Sequence, residues 1–122
     1  MPDSAQQTIW HTYQKAWSDV SPDTRRELLA RSVSEDGVYT DPLAVCRGHD
    51  ALQSYIEAFR QSMPGAAFKN HRFTAHHEQS HAEWTLYDAQ GREVQPGNSY
   101  ARFGEDGRLT QVTGFFAVPE GA

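Results

Sequence analysis

At 122 residues the chain has room for one domain with a real core and not for two. A composition of 38% hydrophobic and 22% charged residues places it among ordinary globular proteins. The formal net charge of −5, with no basic cluster longer than Arg25-Arg26, argues against nucleic acid or an anionic membrane as partner. Cys46 stands alone, so no internal disulfide forms, and a reducing cytoplasm is the expected compartment. Met1–Gln7 has neither the basic nor the apolar segment of a signal peptide. No apolar run reaches membrane-spanning length.

In chain order, Ile9, Tyr13, Trp17 and Val20 recur at helical spacing and predict an amphipathic helix from about residue 5 to 19. Ser21-Pro22-Asp23 reads as an N-cap, a proline at the first helical position and an early acid. The helix that follows buries Leu28, Leu29 and Val33. Val38-Tyr39-Thr40-Asp41-Pro42 then reads as a strand that Pro42 ends. Alternation puts Tyr39 and Asp41 on one face and Val38 and Thr40 on the other. Leu43 to Gly48 reads as a loop. A third helix carries Leu52, Tyr55, Ile56, Phe59 and Met63 on one stripe, and Pro64-Gly65 ends it.

The second half reads as four strands, Ala66–His77, His81–Asp88, Arg92–Phe103 and Arg108–Val118. Short turn-forming connections imply an antiparallel meander. Alternation places Ala82, Trp84 and Leu86 on one face of their strand, and Val112, Gly114 and Phe116 likewise on one face of theirs. Three helices followed by a sheet make an α+β domain with the helices packed on one sheet face.

Asp41 is the leading chemical candidate. A carboxylate at a strand end, desolvated by Tyr39, Trp84 and Phe116, suits a general base that removes a proton next to a carbonyl. A plainer reading makes it a turn-capping aspartate. Tyr13 and Tyr39 offer hydroxyls to a developing enolate oxygen, or simply pack in the core. His71 and His77 share a strand face with Phe73 unless a bulge intervenes, and an inward histidine opposite Asp41 would complete an acid–base pair. His76 and His81 read as residues of an exposed turn. His77 and His81 lack a matching ligand pair, so no metal is expected. No phosphate-cradling loop or nucleophile elbow occurs, and no cofactor is expected. Trp17, Tyr55, Trp84, Phe103 and Phe116 fall on the expected inner faces, where they would line a pocket for a small apolar or aromatic ligand. Tyr87, Tyr100 and Phe115 are aromatic on the opposite strand face, which implies a partner there.

The order of these features resembles the nuclear transport factor 2-like superfamily, in its SnoaL-like polyketide cyclase and ketosteroid isomerase branch. The resemblance rests on Tyr39-Thr40-Asp41-Pro42 before the third helix, and on Gly107-Arg108-Leu109 opening a last strand that ends in Thr113-Gly114-Phe115-Phe116. It covers roughly residues 6 to 118 and implies a single-domain conical barrel. In that fold a strongly curved, mostly antiparallel sheet packs against three N-terminal helices around a deep apolar pocket. It also implies that Asp41 is the catalytic base and that Tyr13 is the oxyanion-hole tyrosine, with His77 as a further acid–base candidate. Ser99 falls where ketosteroid isomerases keep a second oxyanion donor, and Val33 and Ile56 fall where they keep supporting tyrosines. Tyr39, Trp17, Tyr55, His71, Trp84, Ser99, Phe103, Val112 and Phe116 would then bind the ligand. A homodimer through the sheet surface is the implied assembly. The expected function is a cofactor-independent isomerase, cyclase or dehydratase acting on a small carbonyl compound. The alternative is a non-catalytic ligand-binding or dimerisation module of the same fold.

Overall fold

The computed structural model describes residues 4–118. Helix α1 (Ala5–Lys15) starts where the Ser4 hydroxyl accepts from the Gln7 N–H at 3.1 Å. It stops four residues sooner than its apolar spacing predicts. Trp17 lies in the turn beyond the helix and still points inward. Helix α2 (Pro22–Ser32) is capped by Ser21 and has Pro22 in its first turn, as its sequence signature implies.

Arg25 explains how the two helices join. It is 3% exposed and gathers three carbonyls of the segment that links α1 to α2. Its Nε donates to the Ala16 carbonyl at 2.7 Å, and its Nη2 donates to those of Ser18 and Val20 at 3.0 and 3.1 Å. Its Nη1 reaches Glu57 Oε2 at 3.3 Å.

Strand β1 (Val33–Asp41) ends at Asp41. Residues 43–48, expected to be a loop, instead hold a short strand, β2 (Ala44–Arg47). It pairs back on β1 with Asp41 opposite Ala44, and Pro42 and Leu43 form the turn. The four-residue strand is too short to show a period, so its pairing is a tertiary outcome. Helix α3 (Gly48–Ser62) buries Leu52 and Ile56, with Tyr55, Phe59 and Met63 along the same stripe.

Strands β3 (Ala67–His76), β4 (Gln79–Tyr87), β5 (Glu93–Phe103) and β6 (Leu109–Phe115) form the expected antiparallel meander. The six strands lie in the order β2-β1-β6-β5-β4-β3, and only the β1–β6 pair is parallel. The curved sheet does not close on itself, since β2 and β3 remain edges. Its inner face and the three helices enclose two apolar clusters. The larger holds Trp10, Tyr13, Leu29, Ile56 and Leu109, and the smaller holds Ala66, Trp84 and Leu86. No helix among the described residues is long and apolar enough to cross a membrane.

Candidate active site

Between the helices and the sheet lies a cavity of about 800 Å³, and Asp41 lines it. Strand alternation turns Asp41 inward beside Tyr39, and the residue is 8% exposed. Tyr39 and Tyr55 both donate their hydroxyl protons to its Oδ2, at 2.6 and 2.7 Å. The Leu43 N–H donates to its Oδ1 at 2.8 Å and so fixes the turn into β2. A carboxylate has about four acceptor positions, so three bonds leave one open on Oδ1. The turn-capping role and the cavity position therefore belong to the same side chain.

The aromatic wall is continuous. Trp17 packs against Tyr39, Phe59 and Phe68 with ring centroids 5.6, 5.6 and 5.9 Å apart. Phe68 meets Trp84 edge-on at 5.2 Å, and Trp84 reaches Phe116 at 6.4 Å. The Trp84 ring lies over the backbone of Gly97, its partner across the β4–β5 ladder, where a Cβ would stand 2.3 Å from the indole. That seat directs the Trp84 N–H to the Ser99 hydroxyl at 3.0 Å. Ser99 in turn sits opposite Gly114, whose bare Cα faces Asp41 and the Tyr39 hydroxyl. Acceptor and hydroxyl thus stand on β1 and β5 with the gap of a glycine on β6 between them.

Two buried donors in the lining have protons to spare. Tyr13 accepts from the Trp17 indole N–H at 2.8 Å, and its own proton meets no acceptor among the described residues. Trp10 is 2% exposed and its Nε1 has no hydrogen-bond partner among the described residues. An N–H buried in this way costs about 1–3 kcal/mol. Burial pushes the hydroxyls of Tyr13, Tyr39 and Tyr55 well above the usual tyrosine range, and nearby Asp41 pushes each in the same direction. All three stay protonated donors at neutral pH. Burial and Asp41 also push the Cys46 thiol up, which leaves it a core group rather than a nucleophile.

The structure thus brings Asp41, Tyr13, Tyr39, Trp17, Tyr55, Trp84, Ser99 and Phe116 to one cavity. Four other candidates lie elsewhere. Phe103 and Val112 are buried in the core and do not line the cavity. His71 falls at a bulge in β3, between Asn70 and Arg72, and is exposed. Its Nε2 lies 2.7 Å from the Thr85 hydroxyl. The extra residue reverses the expected alternation, which is why the ring leaves the inner face. His77 is an exposed residue of the β3–β4 turn, with φ of 54°, and no histidine faces Asp41 from the lining. Sequence reasoning passed over Trp10 and Phe68, both in the lining. For Trp10 a signal existed, since Trp10, Tyr13 and Trp17 share a helical stripe as regular as that of Ile9, Tyr13 and Trp17. Among the described residues, no group of three or more His, Cys, Asp or Glu side chains could hold a metal ion.

Comparison with known proteins places this geometry in a family. Residues 11–112 match the family model for a SnoaL-like domain. A SnoaL-like family protein from Agrobacterium tumefaciens str. C58 is 30% identical, with a TM-score of 0.87 over 93% of this chain and 98% of its own. A candidate polyketide cyclase from Sinorhizobium meliloti superposes at a TM-score of 0.72 with 16% identity, over 92% of this chain and 99% of its own. The structure of TerC co-crystallised with polyporic acid does so at 0.76 with 11% identity, over 93% and 92% respectively. At those last two identities the likeness shows the fold alone. Among curated proteins none matches the chain. With a family model spanning most of its length and a solved relative at 30% identity, the chain belongs to the SnoaL-like family, within the nuclear transport factor 2-like fold.

Proposed function

We propose that the cavity is a proton-transfer site for a small apolar or aromatic carbonyl compound, with Asp41 as the base. The observation that carries this reading is a single buried carboxylate in an aromatic cavity, held by three donors with one acceptor position left open. The open oxygen takes a proton from the carbon next to the carbonyl. The C–H electron pair becomes a C=C bond, and the carbonyl π pair moves to oxygen. Tyr13 donates to that oxygen. Tyr39 is less suited to it, because its proton is committed to Asp41. Return of the proton from Asp41 to another carbon gives isomerisation. Attack of the enolate carbon on a second carbonyl gives cyclisation, and loss of a β-hydroxyl gives dehydration. None of these steps requires a cofactor. The Agrobacterium relative is described as a candidate isomerase and the Sinorhizobium structure as a candidate cyclase, which fits this range. TerC, which shares the fold, was crystallised with polyporic acid, which fits a small-ligand role for the cavity walled by Trp17, Trp84 and Phe116.

Two further parts of the reading are proposals of the same standing. A homodimer forms through the outer sheet face, where Phe115 is 53% exposed. A reducing cytoplasm suits the lone buried thiol of Cys46.

A second reading is a non-catalytic ligand-binding module. The commitment of both Tyr39 and Tyr55 to one oxygen of Asp41 favours it, since such a network also serves packing alone. Deuterium exchange at the methyl group of 2-acetonaphthone, followed by proton NMR in D₂O, separates the two. The wild-type protein is expected to accelerate exchange over buffer, and Asp41→Asn to remove about a hundredfold or more of that acceleration with the fold intact. Acceleration that survives in Asp41→Asn excludes Asp41 as the base, and none in the wild type leaves the binding module.

A further inference from the structure

Among the described residues, the charged side chains that line the cavity are Asp41, Asp19 and Arg60. Asp41 has two phenols and a backbone N–H as partners, and Asp19 is exposed in the link between α1 and α2. Arg60 is half-buried in the last turn of α3. Its Nη1 donates to the Ala66 carbonyl at 2.6 Å and to the Trp17 carbonyl at 3.4 Å. These bonds tie the end of α3 to its neighbours, which is a structural role, and they use Nη1 alone. The hydrogens on Nε and Nη2 meet no acceptor among the described residues. No carboxylate there pairs with the cation either. Glu57, one turn earlier on α3, is taken by Arg25 and Gln53. The guanidinium carbon also stands 5.9 Å from the ring centroid of Phe59, another residue of the lining. Three contacts therefore fix the position of a charge that has no counter-ion.

We propose that the Nε–Nη2 edge of Arg60 binds a carboxylate of the ligand at the mouth of the cavity. That edge presents two parallel N–H donors, which match the two oxygens of a carboxylate. A half-buried cation is screened less than an exposed one, and an anion there supplies the partner it lacks. Deeper in, Asp41 would repel that anion. Helix α3 sets the separation between the two ends. Tyr55, which holds Asp41, and Arg60 lie five residues apart, about 7.5 Å along the helix axis. A flat ring system spans that interval between the aromatic walls. The ligand class is therefore an aromatic or alicyclic carboxylic acid with its carbonyl group at the far end. The role of that carbonyl rests on the proton-transfer reading, and the carboxylate site stands without it.

The test compares three probes built on one ring system: 6-acetyl-2-naphthoate, its methyl ester and 2-acetonaphthone. In calorimetry at neutral pH and low salt, wild-type protein is expected to bind the acid about tenfold more tightly than either neutral compound. That preference is expected to shrink as salt is added. Arg60→Gln is expected to lose most of it. Arg60→Lys is expected to keep part, because an ammonium offers the charge without the paired donors. An acid bound no more tightly than its ester, a preference undiminished in Arg60→Gln, or failure of all three probes to bind overturns the proposal. If Arg60→Gln does not fold, the wild-type ratio of acid to ester decides. The ratio is expected to be at least as large in Asp41→Asn, where a repelling charge is gone. A preference that depends on Arg60, without Asp41-dependent exchange, removes the base and leaves the carboxylate site. Asp41-dependent exchange without the preference does the reverse.

Discussion

The site turns on how hydroxyl protons are shared out. Tyr39 and Tyr55 both spend theirs on Oδ2 of Asp41, whereas Tyr13 keeps its own because its acceptor side is filled by an indole. Three phenols that look alike in sequence therefore differ in what they donate to, two to Asp41 and one to no acceptor among the described residues. The same burial gives stability a pH dependence. In the unfolded chain these tyrosines ionise near pH 10, while in the folded protein burial holds all three protonated well above it. The unfolded state then binds fewer protons, so stability is fully present below pH 10 and falls as pH rises beyond it. Urea midpoints are expected to be level from pH 7 to about 9 and to drop steeply by about 11, with a shallower drop in Tyr55→Phe. A level profile through pH 11 would contradict the burial of these hydroxyls.

At the scale of elements, the join between α1 and α2 is made by one side chain. Arg25 donates to three carbonyls of the segment between α1 and α2 and holds Glu57 on α3, all at 3% exposure. Removing it takes the side-chain donors from the Ala16 and Val20 carbonyls and leaves Glu57 with the Gln53 amide alone. Arg25→Ala is expected to cost about 3–5 kcal/mol by urea denaturation, and Arg25→Lys to recover only part, because an ammonium lacks the planar fork that reaches several carbonyls. Arg26, 66% exposed at its side chain and facing Asp23 at 3.8 Å, is expected to change stability by less than about 1 kcal/mol when replaced by Ala. Two adjacent arginines thus behave as opposites, and only the turn of the helix tells them apart.

For the whole molecule, the outer sheet face is where the proposed homodimer would form. Tyr100 is engaged there with Gln79 at 2.8 Å, and the Lys69 ammonium lies 5.1 Å over the Tyr87 ring, so two of the three expected outer aromatics are occupied within the sheet. Phe115 stays open. If that face joins two copies, the wild type sediments as a dimer and Phe115→Arg as a monomer with unchanged far-UV circular dichroism. A monomeric wild type would confine the protein's partners to the cavity. Because Phe115 points away from the inner face while its neighbours Gly114 and Phe116 line the cavity, the proposed dimer face and the cavity lie on opposite sides of one strand.

Much of this was legible in the chain itself, where local chemistry leaves little choice. Ser21-Pro22 starts a helix because a hydroxyl acceptor and a fixed φ suit its first turn. Pro42 ends β1 at Asp41 because it cannot continue the ladder. Alternation then turns Tyr39 and Asp41 inward, and the apolar stripes of α3 and of the β4–β6 meander choose the walls. Tertiary structure decided what no period encodes. The bulge at His71 swings one histidine outward, and the two-residue turn takes His77 to the surface. The pairing of β2 with β1 gives Asp41 its backbone donor. The fate of each polar proton depends on distances between strands and helices far apart in the chain. The unpaired N–H of Trp10 could therefore be found only after the other donors had been matched with their acceptors in three dimensions.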